Sequence, residues 1–322
     1  MTSVQPFRFA VQATKATSAK EWRDTARSVQ DLGYSTLFLA DHYLGPGAAQ
    51  REARWPAQHL APVAAIATAA AVTDTLRVGC RVFCVDYHVP GVLAKEAATL
   101  DLLSDGRLEF GIGAGWSASE YRAMGLLFAP GGRRVDKLSE VVALVKAQWS
   151  GEPLDLRGEH VTALDHAGLP LPVQRPHPPI MIGGSRRRVL SLAAREADVV
   201  SIANVPFDAR NEAGRTPEEE AAHRYGLVRE AARERIDALE IESSPFFARI
   251  TDDPESAAAR VARTLGVQSE GLRDHPNVLI GAEDEVVDRL QERRALYGAN
   301  YITVQQNEAE RFAPVVARLT GN

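Results

Sequence analysis

The strongest constraint on the fold is that short apolar, strand-like runs alternate with amphipathic helical runs along nearly the whole chain. Such alternation predicts a parallel sheet whose strands are joined by helical crossovers. Eight strands are predicted, at residues 7–12, 35–40, 76–85, 107–112, 180–182, 198–202, 245–250 and 301–305. Eight βα units that close on themselves form a TIM barrel, in which active sites lie at the C-terminal ends of the strands.

The alternation breaks once, over residues 151–179, after a long helix predicted at 133–149. Prolines and short polar segments fill this stretch, which we interpret as an insertion and not as a linker between domains. A chain of 322 residues with 45% hydrophobic side chains can bury a core of barrel size. We therefore predict an α/β fold, a (β/α)8 TIM barrel with an insertion segment after strand four, as a single domain over residues 1–322.

Composition and charge exclude several classes of protein. The net charge of -5 argues against a nucleic-acid-binding surface, because phosphate binding depends on clustered lysine and arginine. The two cysteines, Cys80 and Cys84, are too far apart on one predicted strand for a comfortable disulfide. No apolar stretch is long enough to span a bilayer, and residues 1–16 lack a basic segment followed by an apolar run. We expect a cytoplasmic protein without a membrane partner.

A glycine-rich loop follows the fourth predicted strand. Gly111, Gly113 and Gly115 lack a Cβ atom, so backbone amides there can approach a flat ring or a phosphate closely. Trp116 and Tyr121 follow this loop. The tryptophan can stack on a planar ligand and the tyrosine can donate to a phosphate or ring oxygen, or both can anchor the helix in the core.

A second glycine segment opens the helix after the fifth strand. Gly183, Gly184 and Ser185 precede three arginines at 186–188, so free amides, a hydroxyl and positive charge come together. This combination is typical of an anion site, although a basic helix start exposed to water has the same sequence. Neither glycine segment matches the Walker pattern or a complete GxGxxG fingerprint, which argues against a nucleoside triphosphate or Rossmann-type site.

The second predicted strand ends at Asp41-His42, which would lie at the mouth of a barrel. Histidine exchanges a proton near neutral pH and an adjacent carboxylate can fix its tautomer, although such a pair can also simply cap a loop. Cys84 has no activating partner in the sequence and is interpreted as a packing or ring-contacting residue. Cys84, Asp86 and His88 lack a second ligand cluster with metal spacing, so no metal site is predicted.

Taken in order, these segments resemble the bacterial luciferase-like monooxygenase superfamily of flavin and deazaflavin barrels. The resemblance rests on ADHY at 40–43, the long run at 76–121, IGGS at 182–185 and the closing segment at 278–304. Within that family the chain is most similar to coenzyme F420-dependent oxidoreductases of actinobacterial type. The resemblance implies the insertion after strand four, and, because members commonly form dimers, a homodimer.

The resemblance also implies roles for individual residues. Asp41 and His42 match the pair beside the reactive ring, with the histidine as proton donor or acceptor. Phe83-Cys84-Val85 matches a strand-three bulge where members often carry a non-proline cis peptide. The glycine segments match those that hold the cofactor tail and phosphate. The expected cofactor-binding residues are Asp41, Cys84, Val85, Gly113, Ala114, Gly115, Trp116, Tyr121, Gly183, Gly184, Ser185 and Arg186.

The leading hypothesis is hydride transfer between coenzyme F420 and a small organic substrate, with His42 handling the accompanying proton. One alternative is an FMNH2-dependent monooxygenase that uses O2. An alternative of another class is a non-catalytic flavin-binding or partner subunit, although Asp41-His42 together with both glycine segments argues against it. Trp116 stands where sugar-phosphate dehydrogenases of the family carry an acid, so glucose 6-phosphate dehydrogenase activity is not expected.

Overall fold

The computed structural model describes residues 5–322, so the first four residues of the N-terminal segment discussed above lie outside it. Within that range the strands are β1 (Arg8–Ala13), β2 (Thr36–Leu39), β3 (Arg77–Cys84), β4 (Leu108–Gly113), β5 (Leu154–Arg157), β6 (Thr162–His166), β7 (Ile180–Gly184), β8 (Val199–Ile202), β9 (Glu240–Ser243), β10 (Phe247–Ile250), β11 (Val278–Gly281) and β12 (Ala299–Gln305).

The α-helices are α1 (Ala19–Asp31), α2 (Ala48–Ala53), α3 (Pro62–Ala70), α4 (Pro90–Leu103), α5 (Ala118–Ala123), α6 (Gly131–Ser150), α7 (Arg187–Glu196), α8 (Pro217–Ala232), α9 (Pro254–Leu265), α10 (Glu283–Tyr297) and α11 (Ala309–Leu319). Short 3-10 turns occur at Arg233–Ala238, Leu272–Asp274 and Gln306–Glu308. No helix in residues 5–322 is both long and apolar enough to cross a bilayer.

Eight of the strands form a closed barrel in the order β1-β12-β9-β8-β7-β4-β3-β2. Every residue of β2 and of β4 is buried, as expected for barrel strands covered by helices on the outside. The alternation of strands and helices along the chain places their C-terminal ends on one face. The predicted α/β TIM-barrel fold is confirmed, and seven of the eight predicted strands coincide with barrel strands.

The seventh predicted strand is present, but its assignment to the barrel is wrong. Residues 245–250 contribute β10, which pairs in parallel with β11 in a separate two-stranded sheet, while the barrel position belongs to β9. The sequence of β9 is Glu-Ile-Glu-Ser, which has too little apolar character to be recognised. Its charges are nevertheless matched in the folded chain, since Glu240 accepts two hydrogen bonds of 2.6 Å from Arg8 and Glu242 accepts one of 2.6 Å from Ser201.

The stretch at 151–179, interpreted above as an insertion, contains the antiparallel pair of β5 and β6. The remainder of the stretch, up to β7, has no further helix or strand. It is fixed near its end by Asp101, whose carboxylate accepts the backbone N–H groups of Val173 at 2.7 Å and Gln174 at 3.0 Å. That this segment is an insertion relative to other barrels stays a prediction.

By its internal contacts the chain divides into two compact units, one of residues 5–12, 31–35 and 184–322 and one of residues 13–30 and 36–183. The first unit packs a core of Val278, Ile280, Leu272 and Val261. The second contains β2, β3, β4 and the loops that follow them. The interpretation of residues 1–322 as one domain stays a prediction.

The pairing of β3 with β4 contains a bulge. The register runs from Cys80 opposite Phe110 to Phe83 opposite Ile112, so β3 has one residue more than β4 in this interval. The non-proline cis peptide lies inside the bulge, between Arg81 and Val82. The resemblance-based expectation that it lies at 83–85 is therefore wrong, because the extra residue is accommodated before Phe83 and the pairing is regular again from there to Cys84.

Candidate active site

His42 and Glu120 form a short pair at the C-terminal end of β2. His42 Nδ1 lies 2.6 Å from Glu120 Oε2, and Glu120 Oε1 accepts the backbone N–H of Tyr43 at 2.6 Å. The side chain of Glu120 is only 1% exposed. The carboxylate that holds the imidazole is thus Glu120 of α5, and not the neighbouring Asp41 suggested by the sequence.

Asp41 instead ties β2 to the end of β3. Its Oδ2 atom accepts the backbone N–H of Cys84 at 2.8 Å and lies 2.9 Å from His88 Nε2. Its Oδ1 atom is buried and has no hydrogen-bond partner in residues 5–322. A buried carboxylate oxygen without a donor is costly. Asp41 therefore offers an acceptor to a ligand that carries an N–H or O–H group.

Two indole rings lie beside the imidazole of His42. The ring of His42 lies 5.2 Å from that of Trp55 and 5.5 Å from that of Trp116, and the two indoles are 6.0 Å apart. Trp116 is 52% exposed, which is unusual for so large an apolar side chain. We call His42, Trp55 and Trp116 the aromatic cluster. Trp116 thus presents an exposed apolar surface beside His42.

Two phenols lie beside the carboxylates. Burial raises the pKa of Tyr43, and the charge of Asp41 and a hydrogen-bond interaction with its carboxylate raise it further. Burial also raises the pKa of Tyr87, with smaller contributions from Cys84 and Glu120. Both hydroxyl groups therefore stay protonated at neutral pH and are able to donate hydrogen bonds.

Tyr121 is buried, and its hydroxyl group is already used inside the protein. It donates to Asp86 Oδ2 at 2.8 Å and lies 3.1 Å from Cys84 Sγ, while Asp86 Oδ1 pairs with Lys137 at 2.7 Å. Of the two roles considered for Tyr121, this arrangement favours the core anchor over the phosphate donor. Both carboxylate oxygens of Asp86, one of the three residues with possible metal-ligand spacing, are therefore already bonded to Tyr121 and Lys137.

Cys84 is buried beneath the mouth of the barrel. Burial raises the pKa of its thiol to about 11, and burial raises that of Cys80 well above its ordinary range. We therefore expect iodoacetamide at pH 8 to alkylate the native chain at least ~100-fold more slowly than the chain in denaturant, because little thiolate forms. Intact-mass measurement over time checks this. Rapid labelling of the native chain at Cys84 would contradict the packing role.

The glycines of the first loop are required by the protein's own packing. A Cβ atom on Gly111 would lie 2.1 Å from the carbonyl oxygen of Cys80, and one on Gly113 would lie 2.8 Å from Val82 Cγ2. Gly115 has a φ of +73°, and its Cβ would lie 2.0 Å from the Tyr121 hydroxyl. The missing side chains make room for the bulge and for Tyr121. Ligand approach through backbone amides of this loop stays a prediction.

The rest of the first loop is also held from within the protein. The carbonyl oxygen of Ala114 accepts a hydrogen bond of 3.0 Å from Arg134 Nε. Val85, which follows β3, is buried and donates its backbone N–H to the carbonyl of Gly113 at 3.1 Å. Val85 and Ala114 thus fix the position of the loop that carries Trp116.

The second glycine segment begins beside the first, since Gly183 of β7 pairs with Gly113 of β4. A Cβ on Gly184 would lie 2.3 Å from Val189, so this glycine allows α7 to pack closely on the end of its own strand. Ser185 is half-buried and Arg186 is exposed at the start of α7, where no side chain caps the helix. That this segment binds an anion stays a prediction.

The sequence reasoning missed three residues of this site. The sequence assigns no role to Glu120 or Trp55, and His88 enters only through the metal spacing that was rejected. Ser117 to Glu120 has the S-x-x-E pattern of a capping box, which predicts a carboxylate turned back to its own helix. The structure turns Glu120 toward His42 instead, and no local signal indicates this contact of residues 78 positions apart.

Comparisons with known proteins agree with this architecture. The chain matches the family model of luciferase-like monooxygenases over residues 1–301. It is 32% identical over 186 residues to an uncharacterized protein of Mycobacterium tuberculosis (strain ATCC 25618 / H37Rv), covering 54% of this chain and 64% of that protein. It is 34% identical over 140 residues to the F420-dependent glucose-6-phosphate dehydrogenase of Beutenbergia cavernae, covering 42% and 39%. The chain thus spans less than two thirds of the length of these relatives.

Solved structures show the same fold over nearly the full chain. The coenzyme F420-dependent tetrahydromethanopterin reductase of Methanopyrus kandleri superimposes with a TM-score of 0.75 at 17% identity, covering 98% of this chain and 99% of that one. The monooxygenase RslO1 of Streptomyces bottropensis gives a TM-score of 0.74 at 22% identity, covering 97% and 98%. At these identities the likeness shows the fold alone.

Proposed function

Because the chain belongs to the luciferase-like monooxygenase family, we propose that it transfers a hydride between coenzyme F420 and a small organic substrate, with His42 exchanging the accompanying proton. The observation that carries this proposal is the 2.6 Å contact between His42 Nδ1 and Glu120. With Nδ1 donating to the carboxylate, Nε2 is the ring nitrogen left to accept or release a proton. His42 is thereby held in one tautomer beside the open aromatic surface.

The residues present fit a deazaflavin or flavin ring. Such rings carry an N–H group between two carbonyl groups, and the buried Oδ1 of Asp41 lacks a donor within residues 5–322. Asp41 would accept that N–H, while Cys84 and His88 hold its other oxygen in place. When bound, F420 would supply or accept the hydride at the C5 position of its ring.

Exposed positive charge supports F420 over FMN, because the tail of F420 is acidic. Arg186 is exposed at the start of α7. Arg51 and Arg54 are exposed in the segment after β2. These side chains are available to a polyanion, although a single phosphate would use the same chemistry. Among the relatives, the Beutenbergia cavernae enzyme is named for its use of F420.

Titration of the purified chain with F420 and, separately, with FMN tests the proposal. We expect F420 to bind and to do so more tightly than FMN, measured by cofactor fluorescence. Asp41→Asn should weaken F420 binding by about tenfold, because an amide presents one acceptor instead of two and loses the charge. Asp24→Asn, on the exposed surface of α1, is the matched control. Tight FMN binding without F420 binding would favour the monooxygenase, and binding of neither would favour a non-catalytic subunit.

We further propose that the chain acts in the cytoplasm as a homodimer, without nucleic acid. The support is the family resemblance, the acidic net charge and the absence of a membrane-spanning helix in residues 5–322. Light scattering on the purified chain, with and without F420, measures the oligomeric state. A monomer at micromolar concentration would contradict the dimer.

A further inference from the structure

The loop that follows β8, residues 203–216, is bonded to the segment before β11 through Asn277. This side chain is buried, and its amide contacts both backbone groups of Val205. Nδ2 donates to the carbonyl oxygen at 2.6 Å, and Oδ1 accepts the N–H at 3.3 Å. The loop leaves the C-terminal end of β8, on the face where TIM barrels bind their ligands. Asn277 therefore fixes the start of a loop on that face.

His275 supports this connection with both of its ring nitrogens. Nε2 lies 3.1 Å from the carbonyl oxygen of Pro206, which can only accept, so Nε2 carries the proton. Nδ1 is then an acceptor, and it receives the backbone N–H of Asn277 at 3.1 Å. His275 is 5% exposed and stacks on Phe207, with ring centroids 4.2 Å apart at an angle of 16°. We call Val205, Pro206, Phe207, His275 and Asn277 the loop clasp.

Only the neutral imidazole satisfies both of these hydrogen bonds. A second proton would go to Nδ1 and turn the acceptor into a donor that faces the N–H of Asn277. The buried N–H would then have no acceptor, which is unfavourable. Stacking on Phe207 favours a charged ring, but it does not restore the lost bond. Protonation of His275 therefore opposes the closed arrangement of the loop clasp.

The charged groups that face His275 come from two helices. Arg293 of α10 donates to the carbonyl oxygens of His275 and Val278, at 3.0 Å and 2.7 Å. Glu218 lies in the first turn of α8. Burial lowers the pKa of His275 from its ordinary value and Arg293 lowers it further, whereas the Pro206 carbonyl and Glu218 raise it. The other titratable side chains of the adjoining segments are Asp208, Arg273, Asp274, Arg289 and Tyr297.

We propose that the loop clasp is a pH-sensitive switch, in which protonation of His275 breaks its bond to Asn277 and releases residues 203–207 from the segment before β11. The release is local, because Glu220 of α8 independently accepts hydrogen bonds from Asn211 and Arg215, at 2.8 Å and 2.7 Å. The loop is thus closed at neutral pH and opens in acid. This switch does not depend on the proposed function.

The direction of the pH dependence follows from the pKa of His275, which is lower in the folded chain than in the unfolded chain. The stabilising contribution of the neutral ring is complete above a pH of about 6.5, the ordinary value for histidine. It is lost as the pH falls through the lower value of the folded chain. The switch therefore operates on the acid side of neutrality.

Hydrogen exchange of the full chain, followed by mass spectrometry, tests the switch. Exchange is measured at pH 7.5 and pH 5.0, and each rate is divided by the intrinsic rate at that pH to give a protection factor. We expect peptides that cover residues 203–207 and 275–279 to lose at least about tenfold in protection at pH 5.0. A peptide that covers residues 217–224 should lose less than about twofold.

His275→Gln removes the titrating group and keeps a polar side chain. Protection of residues 203–207 in this variant should agree within about twofold at the two pH values, because glutamine gains no proton in this range. His223→Gln, at an exposed position on α8, is the matched control and should keep the loss seen in the unaltered chain. Circular dichroism confirms that both variants are folded.

Equal protection of residues 203–207 at the two pH values in the unaltered chain would overturn the proposal, whether or not His275→Gln folds. The same acid-dependent loss in His275→Gln would also overturn it, because another group would then be responsible. A loss shared by all peptides of the chain would show that acid unfolds the barrel as a whole, and that no local switch exists.

Discussion

Replacing His42 with alanine should lower turnover by about 10² to 10⁴-fold, the range expected when a positioned acid or base is removed. The affinity for F420 should change by less than about threefold, because the hydrogen bonds of Asp41 do not involve His42. Turnover is measured as the steady-state oxidation of reduced F420. The substrate is chosen from a panel of uncharged ketones and enones as one that gives turnover with the original chain. Fluorescence titration measures the affinity for F420.

His223→Ala is the matched control for this variant, since His223 is exposed on α8. Turnover by this control should equal that of the original chain. If His42→Ala retained full turnover, His42 would have no part in proton exchange. If it lost F420 binding to the same extent as turnover, its role would be to hold the cofactor, and the assignment of the proton step would be wrong.

Glu120→Gln should lower turnover by about 10 to 100-fold without a comparable rise in KM, because the carboxylate orients the imidazole and does not itself contact the substrate. The amide of glutamine can still accept the N–H of Tyr43, so the backbone contact is kept. Glu120→Ala removes both contacts and should in addition destabilise the fold by about 1 to 3 kcal/mol. Kinetic measurement of both variants, with thermal unfolding alongside, separates the two effects.

A double-mutant cycle distinguishes orientation of His42 from a general structural role. In the His42→Ala background, Glu120→Gln should change turnover by less than about threefold, because the group that it positions is already absent. Glu52→Gln, at an exposed carboxylate on α2, is the control for loss of negative charge. Fully additive losses in the cycle would show that Glu120 acts on turnover without His42.

The strand positions were predictable because barrel strands are short apolar runs bounded by turns. Ser104-Asp105-Gly106, between α4 and β4, has residue types that favour a turn. In the structure Asp105 and Gly106 both have the positive φ typical of such turns. The strand β9 could not be recognised for the opposite reason. Its charged residues are tolerated only because Arg8 and Ser201 are brought to them by the closed barrel.

The candidate site divides in the same way. The sequence by itself determined that Asp41 and His42 follow a strand and that Trp116 follows a glycine loop, since these are properties of neighbouring residues. Only the tertiary structure decided that His42 is held by Glu120, that Asp41 is held by Cys84 and His88, and that Trp55 completes the aromatic cluster. The contacts of His42 with Glu120 and of Asp41 with Cys84 join segments that follow different barrel strands, and the contact of His42 with Trp55 depends on how the long segment after β2 folds back. Local sequence patterns do not specify these distances.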